Sequence, residues 1–102
     1  MTFDEYQEFA RSTAIYPEEC KVTYPTLGLC GEAGEVAEKV KKNSRDGKSL
    51  DGVGLELGDV LWYLAILADD LGVELEDVAK WNVDKLQRRM KSNKIKGDGD
   101  NR

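Results

Sequence analysis

The sequence predicts an all-α protein, a bundle of about four helices that is completed by oligomerisation. Several segments repeat their apolar residues with the 3.6-residue period of an amphipathic helix. Alternating apolar and polar runs bounded by turn residues, which would predict strands, are absent from the sequence. The segments between the helical patterns are short, and short connections favour helices that pack side by side.

The first predicted helix begins with a capping box, because Thr2 is followed three positions later by Glu5. Pro17 and Pro25 then bracket a segment that we do not expect to be a continuous helix. The inward residues expected on this first helix are Phe3, Tyr6, Phe9, Ala10 and Ala14.

The second helix is predicted from about Thr26 to about Lys42, followed by a polar loop over residues 43–51. The third is predicted to start near Gly52 or Val53 and to end before Gly72, a residue suited to a left-handed helix end. Between residues 60 and 68 this helix is apolar on nearly every side, which is typical of a central helix or of one that packs against another subunit.

The apolar third helix predicts how the chain assembles. A domain of this length buries only roughly 60–70% of its unfolded surface, so association would help its stability. Trp62 and Ile66 point away from the arc that the neighbouring helices cover, so we expect them in the interface of a homodimer or homotetramer. The alternative is that the first helix and residues 14–25 cover this face within one chain.

The fourth helix is predicted to start near Glu74 or Leu75. We expect one domain over residues 1–92 and a flexible polar tail over residues 93–102. The predicted inner stripe of the fourth helix consists of Leu75, Val78, Ala79, Asn82, Leu86 and Met90.

Composition excludes several classes of function. The formal net charge of −5 argues against general binding to nucleic acid or to an anionic membrane. The chain contains no His, which excludes His-based zinc sites and Ser-His-Asp triads. Two isolated cysteines, no signal-peptide pattern and no apolar run long enough for a bilayer together predict a reduced, cytoplasmic protein.

Two acidic pairs set among apolar residues carry the functional hypothesis. Glu32 and Glu35 are three positions apart, as are Glu56 and Asp59, so each pair shares one face of a helix. Carboxylates in such surroundings are costly unless their charge is compensated, and a divalent cation is the best compensation. Oxygen ligands without His or Cys favour Mg²⁺ or Mn²⁺ over Zn²⁺. If the second and third helices are antiparallel neighbours, the four carboxylates converge, with enough charge for two or more ions bridged by a phosphorylated ligand.

The alternative is that these acids lie on solvated helix faces, where the same spacing is common. Two pairs on successive apolar helices weaken that alternative, because Glu35 and Lys39 are the one pair with a basic residue four positions on. Glycines beside the acids leave two explanations open, close helix packing and room for a ligand; they are Gly28, Gly31, Gly34 and Gly58.

A second group of polar residues lies on the fourth helix. Asn82 occupies the apolar stripe, and Lys85 and Arg89 follow on the same edge. An amide flanked by two cations can bind a phosphate or a sugar hydroxyl. The alternative is an asparagine that fixes helix register beside two ordinary surface cations.

With these residues placed, the chain resembles the MazG-like nucleoside triphosphate pyrophosphohydrolases of the all-α NTP pyrophosphatase superfamily. The family pattern is E-x-x-E, a spacer, then E-x-x-D, and the match extends from the first helix to Met90. The stretches that carry the resemblance are residues 31–38 (GEAGEVAE), residues 56–63 (ELGDVLWY) and Asn82-x-x-Lys85-Leu86-x-x-Arg89.

The resemblance implies Mg²⁺-dependent hydrolysis of a nucleoside triphosphate, with dNTPs as the expected class, to the monophosphate and pyrophosphate in nucleotide-pool housekeeping. Mn²⁺ is expected to substitute, and the family is usually dimeric or tetrameric. One of Glu35 and Glu38 would orient the attacking water or take its proton. The implied metal ligands are Glu32, Glu35, Glu56 and Asp59, and the implied substrate contacts are Tyr63, Asn82, Lys85 and Arg89.

Two competing functions remain open. One is phosphoribosyl-ATP pyrophosphohydrolase, which belongs to the same superfamily and would act on that metabolite and little on free dNTPs. The other is a non-catalytic nucleotide-sensing or interaction bundle that has kept the metal site. Acids at every motif position disfavour the second, and turnover separates the two classes. The preferred base and sugar do not follow from the resemblance.

Overall fold

The computed structural model describes residues 1–92, and the predicted polar tail at residues 93–102 lies outside the described residues. The described chain is all-α, as predicted. A short 3-10 helix, Glu18–Cys20, lies between the first two α-helices. The four α-helices are α1 (Phe3–Ser12), α2 (Thr23–Asp46), α3 (Val53–Asp70) and α4 (Leu75–Lys91).

Helix α1 begins at the predicted capping box. Thr2 Oγ1 accepts a hydrogen bond from the Glu5 N–H at 3.1 Å, and Glu5 Oε1 accepts one from the Thr2 N–H at 2.8 Å. The expected burial of two aromatic residues is wrong, since Phe3 is 43% and Phe9 66% exposed. The side of α1 that packs against α3 and α4 instead carries Gln7 and Ala10.

The Gln7 side chain connects α1 to α3 and to the start of α4. Its Nε2 donates to the carbonyl oxygens of Ala65 at 3.1 Å and Val73 at 3.0 Å. Its Oε1 accepts the N–H of Leu75 at 3.1 Å, at the start of α4. The first N–H groups of a helix have no partner within the helix, so this amide satisfies one of them and fixes where α4 begins.

Helix α2 is longer than predicted at both ends. It starts before Pro25, because a proline in the first helical turn gives up an N–H that has no partner within the helix. At the other end the helix continues through Asp46 and stops at Gly47, which adopts a left-handed φ of 69° and donates its N–H to the Asn43 carbonyl at 2.9 Å.

Helix α3 is central and contacts the other three helices. The core consists of Ala10, Ala65, Ile66 and Leu75. Ile66 is fully buried, so its predicted place in a subunit interface is wrong. Trp62 is half-buried, packs against this core and donates its Nε1–H to Thr13 Oγ1 at 2.8 Å. Helix α1 therefore covers this face of α3 within one chain, which is the alternative to the interface that the sequence analysis kept open.

The exposed apolar surface of α3 lies on a different face. Leu57, Leu64 and Leu71 recur every seven residues and are 54%, 40% and 59% exposed. Leu64 and Leu71 line an apolar groove of about 310 Å³ together with Val78 and Trp81 of α4. We call these five residues the leucine face.

Helix α4 starts at Leu75, as predicted, but its inner stripe is rotated from the expected one. Leu75 is buried, whereas Met90 is 65% exposed and Asn82 is exposed as well. Arg89 takes the inward place, with 6% of its surface exposed. The reason is that α4 packs against α1 and α3 through the face that carries Leu75 and Arg89. Across residues 1–92, no helix is both long and apolar enough to cross a bilayer.

Candidate metal centre

Three carboxylates from two helices come together on the surface of the α2–α3 hairpin. Glu32 of α2 and Glu56 and Asp59 of α3 each place one oxygen within 4.8 Å of the others. The two helices run antiparallel. Gly28, near the start of α2, faces Tyr63 of α3, whereas Lys39, further along α2, lies across from Glu56, which comes earlier in α3. The predicted convergence of acids across the hairpin is therefore present for these three residues.

The surroundings of Glu32 raise the pKa of its carboxyl. Partial burial raises the pKa of its carboxyl first, and a hydrogen bond with Glu56 raises it further. The negative charges of Asp59, Glu56 and Glu35 act in the same direction. The cluster thus favours either a proton or a cation, because three carboxylates this close repel one another.

One lysine lies against the cluster. Lys39 of α2 places its Nζ 3.9 Å from Oε1 of Glu56 across the hairpin. The predicted pairing of Lys39 with Glu35 along α2 is thus replaced by a pair between helices. At this distance and with both side chains partly exposed, the attraction is weak. It does not offset the charge of three carboxylates.

The other two predicted acids lie outside the group. Glu35 is exposed on α2, one helical turn from Glu32, and is not among the acids that converge within residues 1–92. Glu38 is bound instead by two lysines of its own helix, with Lys41 Nζ at 3.0 Å and Lys42 Nζ at 3.7 Å. The hydrogen bond from Lys41, together with that lysine's charge, lowers the pKa of Glu38.

A cleft of about 380 Å³ opens beside the acids. Tyr63 forms one wall, and its ring lies against Gly28, where an added Cβ would come within 2.1 Å of Tyr63 Cε1. Burial raises the pKa of Tyr63, as do its hydrogen bond with Tyr24 and the nearby acids. The residues that line the cleft are Thr13, Glu32, Asp59, Trp62 and Tyr63.

The glycines beside the acids divide between the two explanations. Gly28 is required by close packing on Tyr63. A Cβ at Gly31, Gly34 or Gly58 would meet no other atom within 4 Å. Packing therefore does not explain these three, and they leave open space next to the carboxylates.

The sequence patterns did not indicate two residues near the cleft, Tyr6 of α1 and Thr13, which directly follows α1. Thr13 lines the cleft. Burial raises the pKa of Tyr6, and the negative charge of Asp59 raises it further, so Tyr6 lies close to the acids. Tyr6 was assigned only to the core, and Thr13 carries no motif. The signal that could have placed them is the capping box, which fixes the start of α1, combined with the packing of α1 on α3.

The three predicted substrate contacts of α4 are not brought to this cleft. Asn82 is exposed, Lys85 is half-buried, and Arg89 lies on the buried face of α4. The residues that line the cleft come from α2, from α3 and from Thr13, which directly follows α1. Of the predicted substrate contacts, the cleft therefore contains Tyr63.

Comparisons with known proteins identify a family model and two relatives that match the chain. The family model described as "MazG nucleotide pyrophosphohydrolase domain" matches residues 23–93. The chain is 46% identical to the Gene 37 protein of Mycobacterium phage L5 over 114 aligned positions, which cover 100% of both chains. It is 39% identical to the uncharacterized protein YvdC of Bacillus subtilis over 72 positions, covering 60% of this chain and 68% of YvdC. No solved structure matches.

Proposed function

Because the chain belongs to the MazG nucleotide pyrophosphohydrolase domain family, we propose that it is an enzyme that hydrolyses nucleoside triphosphates to the monophosphate and pyrophosphate. We propose dNTPs as the substrate class, Mg²⁺ as the cofactor and nucleotide-pool housekeeping as the role. The observation that carries the proposal is the convergence of Glu32, Glu56 and Asp59 beside an open cleft.

The three carboxylates fit a hard divalent cation. Octahedral Mg²⁺ with Mg–O distances of 2.0–2.1 Å holds its ligand oxygens about 2.9–4.2 Å apart. The oxygens of the cluster lie within 4.8 Å of one another, so small side-chain rotations would bring them to that spacing. When bound, such an ion would supply positive charge against the triphosphate and the acids. The donor set contains neither sulfur nor nitrogen, which favours Mg²⁺ or Mn²⁺.

Within this proposal each acid has its own task. Glu32, Glu56 and Asp59 hold the cation. Glu35 is exposed one turn from Glu32, so a rotation of its side chain would place it as a fourth ligand or next to the attacking water. Glu38 was the other candidate for the water. Its pairing with two lysines lowers its pKa and makes it a poorer proton acceptor, which favours Glu35.

The direct test is a panel of NTPs and dNTPs incubated with Mg²⁺ and scored for pyrophosphate against orthophosphate. The proposal predicts pyrophosphate and the nucleoside monophosphate in equal amounts. Activity on phosphoribosyl-ATP with little on free dNTPs would identify the alternative enzyme of the same superfamily. Nucleotide binding without release of pyrophosphate would identify a non-catalytic sensing bundle.

The metal requirement gives the first prediction. Turnover is expected to disappear in excess chelator and to return when Mg²⁺ or Mn²⁺ is added, because oxygen ligands accept either ion. Zn²⁺ at the same free concentration is expected to restore less activity. The measurement is the rate of pyrophosphate release during a chelator titration followed by metal addition. Full activity at all chelator concentrations would contradict the metal assignment.

The leucine face gives the second prediction, which concerns assembly. We propose that it forms the interface of a homodimer, or of a dimer of dimers, since its five residues are exposed and apolar and four of them line one apolar groove between α3 and α4. This interface replaces the one expected at Trp62 and Ile66. In such a dimer, side chains from α4 of the neighbouring chain could complete the cleft. Within residues 1–92 of one chain, no residue of α4 lines it.

A charge placed in this surface should separate the subunits. Leu64→Lys is expected to shift the protein from dimer to monomer in sedimentation velocity at micromolar concentration, because a desolvated lysine opposes burial of the leucine face. The matched control is Phe9→Lys, which replaces an exposed apolar residue of α1 that is 66% accessible. A wild-type protein that sediments as an active monomer would contradict the interface.

A further inference from the structure

A buried carboxylate at the end of α3 holds three segments of the chain together. The Asp70 side chain is only 2% exposed. Its Oδ1 lies 2.6 Å from Nη2 of Arg11, and its Oδ2 accepts the Tyr16 hydroxyl at 2.6 Å and the Val22 N–H at 2.9 Å. Charge-assisted hydrogen bonds of this kind are strong and geometrically specific. Asp70 therefore fixes the chain between α1 and α2.

The backbone that Asp70 holds is strained. Val22 has φ 68° and ψ −51°, and the Thr23 N–H donates to the Lys21 carbonyl at 2.7 Å, which defines a γ-turn with positive φ. A β-branched residue rarely adopts positive φ. Such a conformation persists only where the surroundings impose it. Two side chains bind Val22, directly before the first residue of α2: Asp70 accepts its N–H, and the Thr26 hydroxyl, one turn into α2, donates to its carbonyl oxygen at 2.7 Å. Of the two, Asp70 is the one that connects the turn to α3.

A row of aromatic rings connects this turn to the cleft. Tyr16, which Asp70 binds, stacks on Tyr24 with ring centroids 4.7 Å apart and planes at 17°. Tyr24 in turn lies 6.1 Å from the Tyr63 ring and shares a hydrogen bond with it. Tyr63 is the wall of the cleft, and the Trp62 ring meets it edge-on at 5.0 Å.

We propose that Asp70 is a positioning residue that sets the start of α2 and, through Tyr16 and Tyr24, holds Tyr63 in the wall of the cleft. Asp70 does not line the cleft, so it acts through these rings. The expected consequence for nucleotide affinity depends on the proposed function. The expected consequence for the position of Tyr63 does not.

The neighbouring aspartate provides a matched control. Asp69 also binds Arg11, with its Oδ2 2.5 Å from the arginine Nε, but it has no hydrogen bond to Tyr16 or Val22 among the contacts within residues 1–92. Asp70→Asn and Asp69→Asn therefore perturb the same arginine by the same chemical change. Asp70→Asn also removes the carboxylate that holds the γ-turn and Tyr16.

Two readouts separate positioning from a merely structural role. The first is ¹⁹F NMR of protein labelled with fluorotryptophan, which gives one signal for Trp62 against Tyr63 and one for Trp81 on α4. The second is steady-state kinetics, which shows whether a variant changes KM or kcat, together with the affinity of the variant for Mn²⁺. Loss of folding would move both ¹⁹F signals, whereas displacement of Tyr63 would move that of Trp62.

Asp70→Asn is expected to shift the Trp62 signal and not the Trp81 signal. KM for the nucleotide should rise roughly tenfold, within the range that displacement of a contact group produces, with kcat and Mn²⁺ affinity changed much less. Asp69→Asn should leave both ¹⁹F signals, KM, kcat and the Mn²⁺ affinity close to wild type. Equal effects of the two variants, or an unchanged Trp62 signal in Asp70→Asn, would overturn the proposal.

Substitutions of Tyr16 keep the test decisive if Asp70→Asn does not fold. Tyr16→Phe retains the ring on Tyr24 and loses the bond to Asp70, while Tyr16→Leu loses both. The Trp62 signal should move in both variants, because both lose the hydrogen bond to Asp70, and it should move further in Tyr16→Leu, which also loses the stacking on Tyr24. An unchanged Trp62 signal in Tyr16→Phe would overturn the proposal. If the wild-type protein turns over no nucleotide, the proposed function fails, and the ¹⁹F measurement still decides the role of Asp70.

Discussion

Glu32→Gln is expected to lower turnover by roughly 10²–10³-fold, the loss that follows removal of one preorganised electrostatic group from an active site. The side chain keeps its shape and loses the charge that faces Glu56 and Asp59. Asp59→Asn should behave in the same way. Glu8→Gln is the matched control, because Glu8 is an exposed acid on α1 that does not line the cleft. Wild-type turnover in Glu32→Gln would show that the cluster is an ordinary acidic surface.

The same variant has an opposite effect on the metal-free protein. The pKa of Glu32 is raised in the folded state, so the folded protein binds the proton more tightly than the unfolded chain does. The stability from this group is present at low pH and is lost as pH rises through the raised pKa. Metal-free Glu32→Gln should therefore melt at a higher temperature than wild type near neutral pH, with the difference shrinking below pH about 4. A wild type that is the more stable protein at neutral pH would contradict the proposed repulsion.

Gly28→Ala is expected to have the largest effect on the fold among single-methyl changes in α2. The added Cβ would come within 2.1–2.5 Å of three atoms of the Tyr63 ring. The ring has little room to yield, since Tyr24 and Trp62 pack against it. Overpacking of this kind costs about 1–3 kcal/mol. Displacement of Tyr63 should also impair nucleotide binding.

Gly31→Ala adds the same methyl group to the same helix, where nothing lies within 4 Å of it. Here the helix propensity of alanine is expected to stabilise the protein by up to about 1 kcal/mol. Chemical denaturation of both variants in metal-free buffer measures the difference. Equal stabilities for Gly28→Ala and Gly31→Ala would contradict the packing of Tyr63 on α2.

Local signals predicted the elements well, because each one is complete within a few residues. The capping box at Thr2 fixed the start of α1, and Gly72, with φ 74°, follows the end of α3 as expected. The predicted start of α2 near Thr26 is wrong, because the prediction treats Pro25 as a helix boundary and the helix begins at Thr23. A proline fits a first helical turn as well as it fits a loop.

The apolar periodicity did not predict which faces of α3 and α4 are buried. Helix α3 is apolar almost all round, so the pattern could not tell that Ile66 is buried and Leu64 is exposed. On α4 the pattern assigned Met90 to the core and Arg89 to the edge, although Arg89 takes the buried place. A long arginine side chain can bury its aliphatic stem, and residue type alone does not show this.

The parts of the candidate site that depend on the spacing of residues along the helices were predictable from the sequence. The parts that depend on how distant segments pack together were not. The three-residue spacing of the acids and the hairpin predicted that Glu32, Glu35, Glu56 and Asp59 would converge, and three of them do, whereas Glu35 does not join the group. The pairing of Glu38 with lysines depends on rotamers. The contribution of Thr13 depends on how α1 packs, and the link from Asp70 to Tyr63 depends on the positive φ of Val22.

The most direct test of the metal centre is Mn²⁺ binding measured by electron paramagnetic resonance in the absence of nucleotide. Wild type and Glu8→Gln are expected to bind Mn²⁺ with the same affinity. Glu32→Gln and Asp59→Asn are expected to bind it at least about tenfold more weakly, since each loses a charged oxygen ligand of a hard cation. Mn²⁺ affinity that is unchanged in both cluster variants would contradict the assignment of these carboxylates as the metal site.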